Sequence, residues 1–139
     1  MSFTPQTPYL SIDGIIEVYE DGIFQGIVLI ERKHEPFGLA LPGGFVEVGE
    51  TVEHALVREM KEETGLDVEI DRILGIYSEP DRDPRFHTAT VVYVAKASGQ
   101  PKGGDDAKVA SLYALIDLPL DKLVFDHGKI VADYLKTVH

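Results

Sequence analysis

The chain has 139 residues, 44% of them hydrophobic and 27% charged, which fits one domain spanning 1–139 and leaves no room for two ordinary ones. Thirteen basic residues against 24 acidic ones give a net charge of −11, which repels phosphate backbones and anionic membranes at long range; neither nucleic acid nor membrane is expected as a partner. There is no cysteine, hence no disulfide framework and no thiolate metal site, whereas a phosphate ligand stays compatible if metal ions supply the positive charge.

The first eight residues are polar and carry Pro5 and Pro8, with no basic start and no apolar stretch of signal-peptide length. Runs such as Ile27-Val28-Leu29-Ile30 fall far short of the about 20 residues of a membrane span, so a soluble, cytoplasmic protein is expected. Segments 12–19 and 23–30 are rich in β-branched residues around Glu20-Asp21-Gly22 and predict a hairpin. Segment 31–49, punctuated by Pro36, Gly38, Pro42, Gly43, Gly44 and Gly49, predicts a long loop with a short strand near Leu39–Leu41. Thr51 suits the cap of a helix running to about Thr64, with Gly65 as its left-handed stop and Val52, Ala55, Leu56 and Met60 as its apolar stripe. Segments 68–77 and 88–97 predict two strands around a charged loop, and 110–114 predicts a short one. Asp126 is read as the N-cap of a last helix with the stripe Ile130, Val131, Tyr134, Leu135 and Val138. Two helices with mixed strands give an α/β layered domain.

The informative segment is LPGGFVEVGETVEHALVREMKEETGL, residues 41–66. On a helix, Glu59, Glu62 and Glu63 stand at i, i+3 and i+4 and share one face, where three carboxylates repel unless a hard divalent cation such as Mg²⁺ or Mn²⁺ relieves them. The competing reading is a solvated acidic face. Arg58 and Glu62 are i, i+4 and can pair, and Glu50 can reach Arg58 from outside the helix. Pro42-Gly43-Gly44 lets the backbone approach a ligand and offer it a carbonyl.

This segment resembles the Nudix box, G-x5-E-x7-R-E-U-x-E-E-x-G-U with U aliphatic. Gly44, Glu50, Arg58, Glu59, Met60, Glu62, Glu63, Gly65 and Leu66 fill its fixed positions. The resemblance implies a Nudix-like α/β/α sandwich with a mixed β-sheet between helices. It implies hydrolysis of a nucleoside diphosphate linked to X, giving a nucleoside monophosphate and X-phosphate, with Mg²⁺ or Mn²⁺ as cofactor. By the same resemblance Glu59 and Glu63 are the main metal ligands, Glu62 assists, the Gly43 carbonyl completes the set, Gly44 lies against the substrate, and Arg58 and Glu50 orient the ligands.

Segments 31–37, 78–85, 104–107 and 125–127 resemble the ADP-ribose pyrophosphatase-like group and point to ADP-ribose or a similar nucleotide sugar as the small-molecule substrate, and to a homodimer. Arg82 and Arg85 offer planar donors to phosphate or ribose oxygens; the alternative is a charge-balanced turn with Glu79, Asp81 and Asp83. His34 and His87 read as surface or core residues. For the general base, Glu62 is the candidate inside the box and Asp106, with Asp105 second, in the glycine-rich loop before the last strand, where Val109 leaves no nearby Glu. A MutT-type nucleoside triphosphate pyrophosphohydrolase is the runner-up, and a non-catalytic ADP-ribose-sensing module a third reading.

Overall fold

The computed structural model describes residues 2–104 and 107–138, without the side chain of residue 108. The hairpin forms as β1 (Tyr9–Glu20) and β2 (Ile23–Arg32), joined through Asp21 and Gly22, both at positive φ, the primed turn that matches strand twist. After β3 (Leu39–Ala40), residues expected to stay in the loop form a short strand, β4 (Gly43–Phe45). It pairs antiparallel with Ser11–Asp13 of β1, a non-local partner that no local pattern announces. Helix α1 (Val52–Thr64) starts and stops where its caps require: the Thr51 hydroxyl accepts from the His54 amide, and Gly65 takes φ 74°. Strands β5 (Glu69–Tyr77), β6 (Thr88–Ser98) and β7 (Ala107–Tyr113) follow, then two short 3₁₀ turns and helix α2 (His127–Leu135).

All seven strands join one mixed sheet, with β3-β2-β1-β6-β5 as its path, β4 on β1 and β7 on β2. The β1–β6 pair is parallel and the other pairs are antiparallel. Alternation explains the layers. Ile12, Ile16, Val28, Ile30 and Tyr93 bury one sheet face against Ala55, Leu56 and Met60 of α1. Their neighbours Ile15, Ile27, Leu29, Val92 and Val94 bury the other against Ile130, Val131 and Tyr134 of α2. Strands covered on both faces read as continuous apolar runs, as here. The expected α/β/α sandwich is the observed one. None of the helices, among the described residues, is long and apolar enough to cross a membrane.

β1 pairs with β4 near its start and with β2 near its end, while β2 turns toward β3 and β7. The sheet thus splays on one side of β1. A cavity of 390 Å³ opens there, between α1 and the loops before β6 and α2.

Candidate active site

One wall of this cavity comes from α1 and β4. Arg58 is its hub. Nε and Nη2 donate to the two Glu50 oxygens at 2.7 and 2.8 Å, Nη1 to Glu59 Oε1 at 2.8 Å and Glu62 Oε2 at 3.2 Å, and Nη2 also to the Phe45 carbonyl at 3.2 Å. Glu50 further accepts the Glu47 amide at 3.0 Å and lies 2.7 Å from His54 Nδ1. The Arg58 guanidinium first, then the Glu47 amide, hold the Glu50 carboxyl well below the usual carboxylate range, and Glu50 in turn holds the Arg58 proton more tightly than usual. The Glu50 side chain is only 7% exposed, so this is an enclosed orienting network rather than a surface ion pair.

Glu63 is buried and accepts the Gly43 amide at 2.9 Å. A Cβ on Gly44 would fall on the Glu59 carboxylate, and one on Gly43 would overlap Asp13 and the Ile12 carbonyl. Gly44, which opens the box, and Gly43 just before it are therefore both packed closely against carboxylates. The donor set is all oxygen, as a hard divalent ion requires. Among the described residues, however, no three acidic or histidine side chains are gathered at metal-ligand spacing. Glu59 and Glu63 line the cavity, whereas Glu62 does not line it and leans on Arg58.

A second part of the lining carries arginines and is built by long-range pairs. Arg82 is almost fully enclosed; its Nε and Nη2 grip the Asp126 carboxylate at 2.8 and 2.7 Å, and Nη1 reaches Thr90 Oγ1 at 2.6 Å. Asp126 stands at the N-cap position of α2 but makes no capping hydrogen bond, because both its oxygens are taken by Arg82, 44 residues away. Arg85 places Nε and Nη2 on Asp83 at 3.0 and 2.8 Å. Burial alone would raise the Asp83 carboxyl, but the Arg85 hydrogen bonds and charge outweigh it and lower it. The charge-balanced turn thus exists, through Asp83 alone of the three acids expected there, yet both arginines line the cavity. His34 lines it too, which its sequence context did not reveal.

Two features were assigned no role from the sequence, although segment 125–127 carries part of the family resemblance. Buried Asp13 and His127 both line the cavity. The Leu41 amide donates to His127 Nδ1 at 2.9 Å, so the ring proton sits on Nε2, 3.3 Å from Asp13 Oδ2. Phe125 lines the cavity in a left-handed backbone conformation, φ 57°, which costs a bulky L residue of order 1–2 kcal/mol.

The cavity therefore brings together Gly43, Gly44, Glu59, Glu63, Arg82 and Arg85 of the predicted set. Glu50 and Arg58 stand behind its acidic wall. Asp105 and Asp106 lie outside the described residues.

The sequence matches the NUDIX domain family over residues 10–134. The chain belongs to that family. Within it, the chain is 52% identical over 132 residues to the ADP-ribose pyrophosphatase of Methanocaldococcus jannaschii, covering 93% of this chain and 74% of that protein. The fold is shared with the NUDIX domain of Shewanella oneidensis NrtR complexed with ADP ribose, at TM-score 0.80 and 25% identity, over 96% of this chain and 90% of that one. It is shared too with a bifunctional NMN adenylyltransferase/ADP ribose pyrophosphatase from Francisella tularensis complexed with AMP and a Mn ion, at TM-score 0.79 and 25% identity; this chain covers 43% of that one, and 99% of this chain is matched.

Proposed function

We propose that this chain, as one domain over 1–139, is a divalent-metal-dependent Nudix pyrophosphohydrolase whose substrate is ADP-ribose or a similar nucleoside diphosphate sugar. The observation that carries the reading is that one cavity is lined both by the carboxylates Glu59 and Glu63 and by the guanidinium groups of Arg82 and Arg85. A pyrophosphate suits that cavity, with its oxygens toward the guanidinium groups and its reacting side toward the carboxylates. The name of the archaeal relative and the ligands of the two structural neighbours support the substrate class.

Glu59 and Glu63, with Glu62 and the Gly43 carbonyl, would hold Mg²⁺ or Mn²⁺, which supplies neutralisation of the anhydride and a more acidic bound water. Arg58 fixes the Glu59 and Glu62 carboxylates, and the Gly43 amide fixes Glu63. Arg82 and Arg85 orient the phosphates as planar donors. Water attacks one phosphorus, the bond from that phosphorus to the bridging oxygen breaks, and the products are a nucleoside monophosphate and X-phosphate. The water's proton goes to a carboxylate, for which Glu62 and Asp106 are the two candidates. The loop that carries Asp106 springs from beside Glu62: a Cβ on Gly104 would lie 2.6 Å from the Glu62 carbonyl. Asp106→Asn lowering kcat far more than it raises KM selects the loop base; unchanged turnover there, with loss in Glu62→Gln, selects the box.

A panel of ADP-ribose, NADH, diadenosine polyphosphates and dGTP, with products identified, tests the substrate reading. AMP and ribose phosphate from ADP-ribose are expected. Preference for dGTP would establish the MutT-type alternative instead, and ADP-ribose binding without turnover would establish the sensing module. Activity is expected to vanish in chelator, and saturating Mg²⁺ at about 100 times its dissociation constant to add about 2.7 kcal/mol of stability. The family resemblance also leads us to propose a cytoplasmic homodimer, which sedimentation at micromolar concentration checks for its oligomeric state.

A further inference from the structure

We propose that Phe125 is a positioning residue: its ring gathers Arg32 and Arg85 into a subsite for a phosphate group of the substrate. The proposal rests on the reading that a nucleoside diphosphate occupies the cavity. All three residues line the cavity. The Arg32 guanidinium carbon lies 5.0 Å from the Phe125 ring centroid and that of Arg85 lies 5.5 Å from it. Arg85 also sits 5.1 Å from the Phe86 ring, and its Nε and Nη2 are fixed on Asp83. Among the described residues Arg85 Nη1 has no hydrogen-bond partner, so an otherwise immobilised fork keeps one donor end for a ligand.

The backbone fixes where the ring stands. Two non-glycine residues have positive φ, among the described residues. Asp21 is in a hairpin turn whose shape demands it. Phe125 also opens a hydrogen-bonded turn, in which the His127 amide donates to the Val124 carbonyl at 3.2 Å. Its neighbours are pinned on both sides: the Val124 amide donates to the Leu39 carbonyl at 2.9 Å, and Asp126 is held by Arg82. Glycine would satisfy this backbone without strain, but it would leave nothing for the two guanidinium groups to stack on. Two cations around one ring repel each other; the negative face of the ring offsets part of that repulsion, and an anionic ligand offsets more. Planar guanidinium forks match phosphate oxygens better than ammonium groups do.

The test uses the full chain and the variants Phe125→Leu, Phe125→Gly and Phe125→Tyr. Each is measured for KM and kcat on ADP-ribose, for inorganic pyrophosphate binding by titration calorimetry, and for Tm. Removing the aromatic face in the Leu and Gly variants is expected to weaken pyrophosphate binding and raise KM by roughly five- to tenfold, with kcat falling less, and Phe125→Tyr is expected to stay within about twofold of the parent. A residue that only packs would move Tm and leave both affinities alone. The proposal is overturned if the parent chain binds no pyrophosphate, or if the Leu variant stays within about twofold of it in KM and pyrophosphate affinity. Should the Leu variant not fold, the Gly variant, whose backbone suits φ 57°, is held to the same threshold. If the parent leaves ADP-ribose intact while pyrophosphate binding still follows this order, the substrate reading fails and the subsite stands.

Discussion

The two walls of the cavity are built by different means. The acidic wall is made within one short stretch, 43–63, where helix periodicity puts Glu59, Glu62 and Glu63 on one face and a single guanidinium, Arg58, ties Glu50, Glu59 and Glu62 together. The basic wall is assembled from β2, the loop before β6 and the segment before α2, and is joined by contacts between residues tens of positions apart, such as Arg82 with Asp126. A wall held by its own helix can tolerate changes elsewhere in the fold. A wall held by tertiary pairs responds to any change that shifts α2 against the sheet. Damage to the cavity-lining carboxylates of the first should therefore appear in turnover, and damage to the long-range pair that holds the second in stability and KM.

The largest effect is expected from Glu63→Gln. The amide can still accept the Gly43 hydrogen bond, so the fold survives, but it loses the charge that a divalent ion needs. Turnover should fall by more than the roughly 10–100-fold typical of losing an outer partner of a metal ligand. A folded variant with near-parent kcat would remove Glu63 from the metal site and, with it, the contrast between the walls.

Asp126→Ala should act the other way. It strands the Arg82 guanidinium, whose side chain is 5% exposed, without its carboxylate, a change that costs about 3 kcal/mol and lowers Tm by of order 10 °C. Retained activity per folded molecule, with a raised KM, is expected in steady-state assays at a temperature below the new transition. A Tm within a degree or two of the parent would mean that the basic wall does not depend on this pair.

That difference also explains what could be read ahead of the structure. Thr51, Gly65 and the Glu–Glu–Glu spacing act over one helix, so the helix, its ends and the Arg58–Glu50 pairing were legible from local pattern. The layered fold was legible because β1, β2 and β6 are apolar on both faces. β4 was not, since Gly43–Phe45 has no strand propensity of its own and forms only because β1 offers it an edge. Asp126 was read as a cap by the rule that serves most helix starts; the rule failed because a buried arginine competes for the same oxygens. Asp13–His127 and the Arg32–Phe125–Arg85 stack span 114 and up to 93 positions of chain, and no spacing rule reaches that far.

Gly44→Ala sharpens the acidic side. The added methyl would land on the Glu59 carboxylate, which must rotate away and loosen its hold on Arg58. The carboxylate is the flexible end of a side chain, so Tm should fall by no more than a few degrees. The kcat should drop roughly tenfold or more, since small displacements of positioned groups are costly. Equal losses in KM and kcat, with a large drop in Tm, would instead mean that Gly44 serves the fold rather than the site.

The smallest effect, and the one that compares the walls most directly, is in acid. Glu50 and Asp83 are both carboxylates whose folded-state pKa is depressed by an arginine, Glu50 behind the acidic wall and Asp83 in the basic one. For such a group the stabilising contribution is fully present above the unfolded-state value, about 4.3 for Glu and 3.9 for Asp, and is lost as pH falls through the lower folded value. The parent Tm should therefore decline steeply below about pH 4. Glu50→Gln should lower Tm at pH 7 and flatten that decline, so that the two curves converge in acid. Asp83→Asn should do the same to a smaller degree, because burial of Asp83 works against the Arg85 hydrogen bonds, whereas the Arg58 and Glu47 hydrogen bonds far outweigh burial at Glu50. Thermal melts of the three proteins between pH 7 and pH 3 read this ordering. A parallel, undiminished slope in Glu50→Gln would show that the Arg58 network stores no pH-dependent stability. A larger effect at Asp83 than at Glu50 would place the more strongly ionised pair in the basic wall and reverse the comparison.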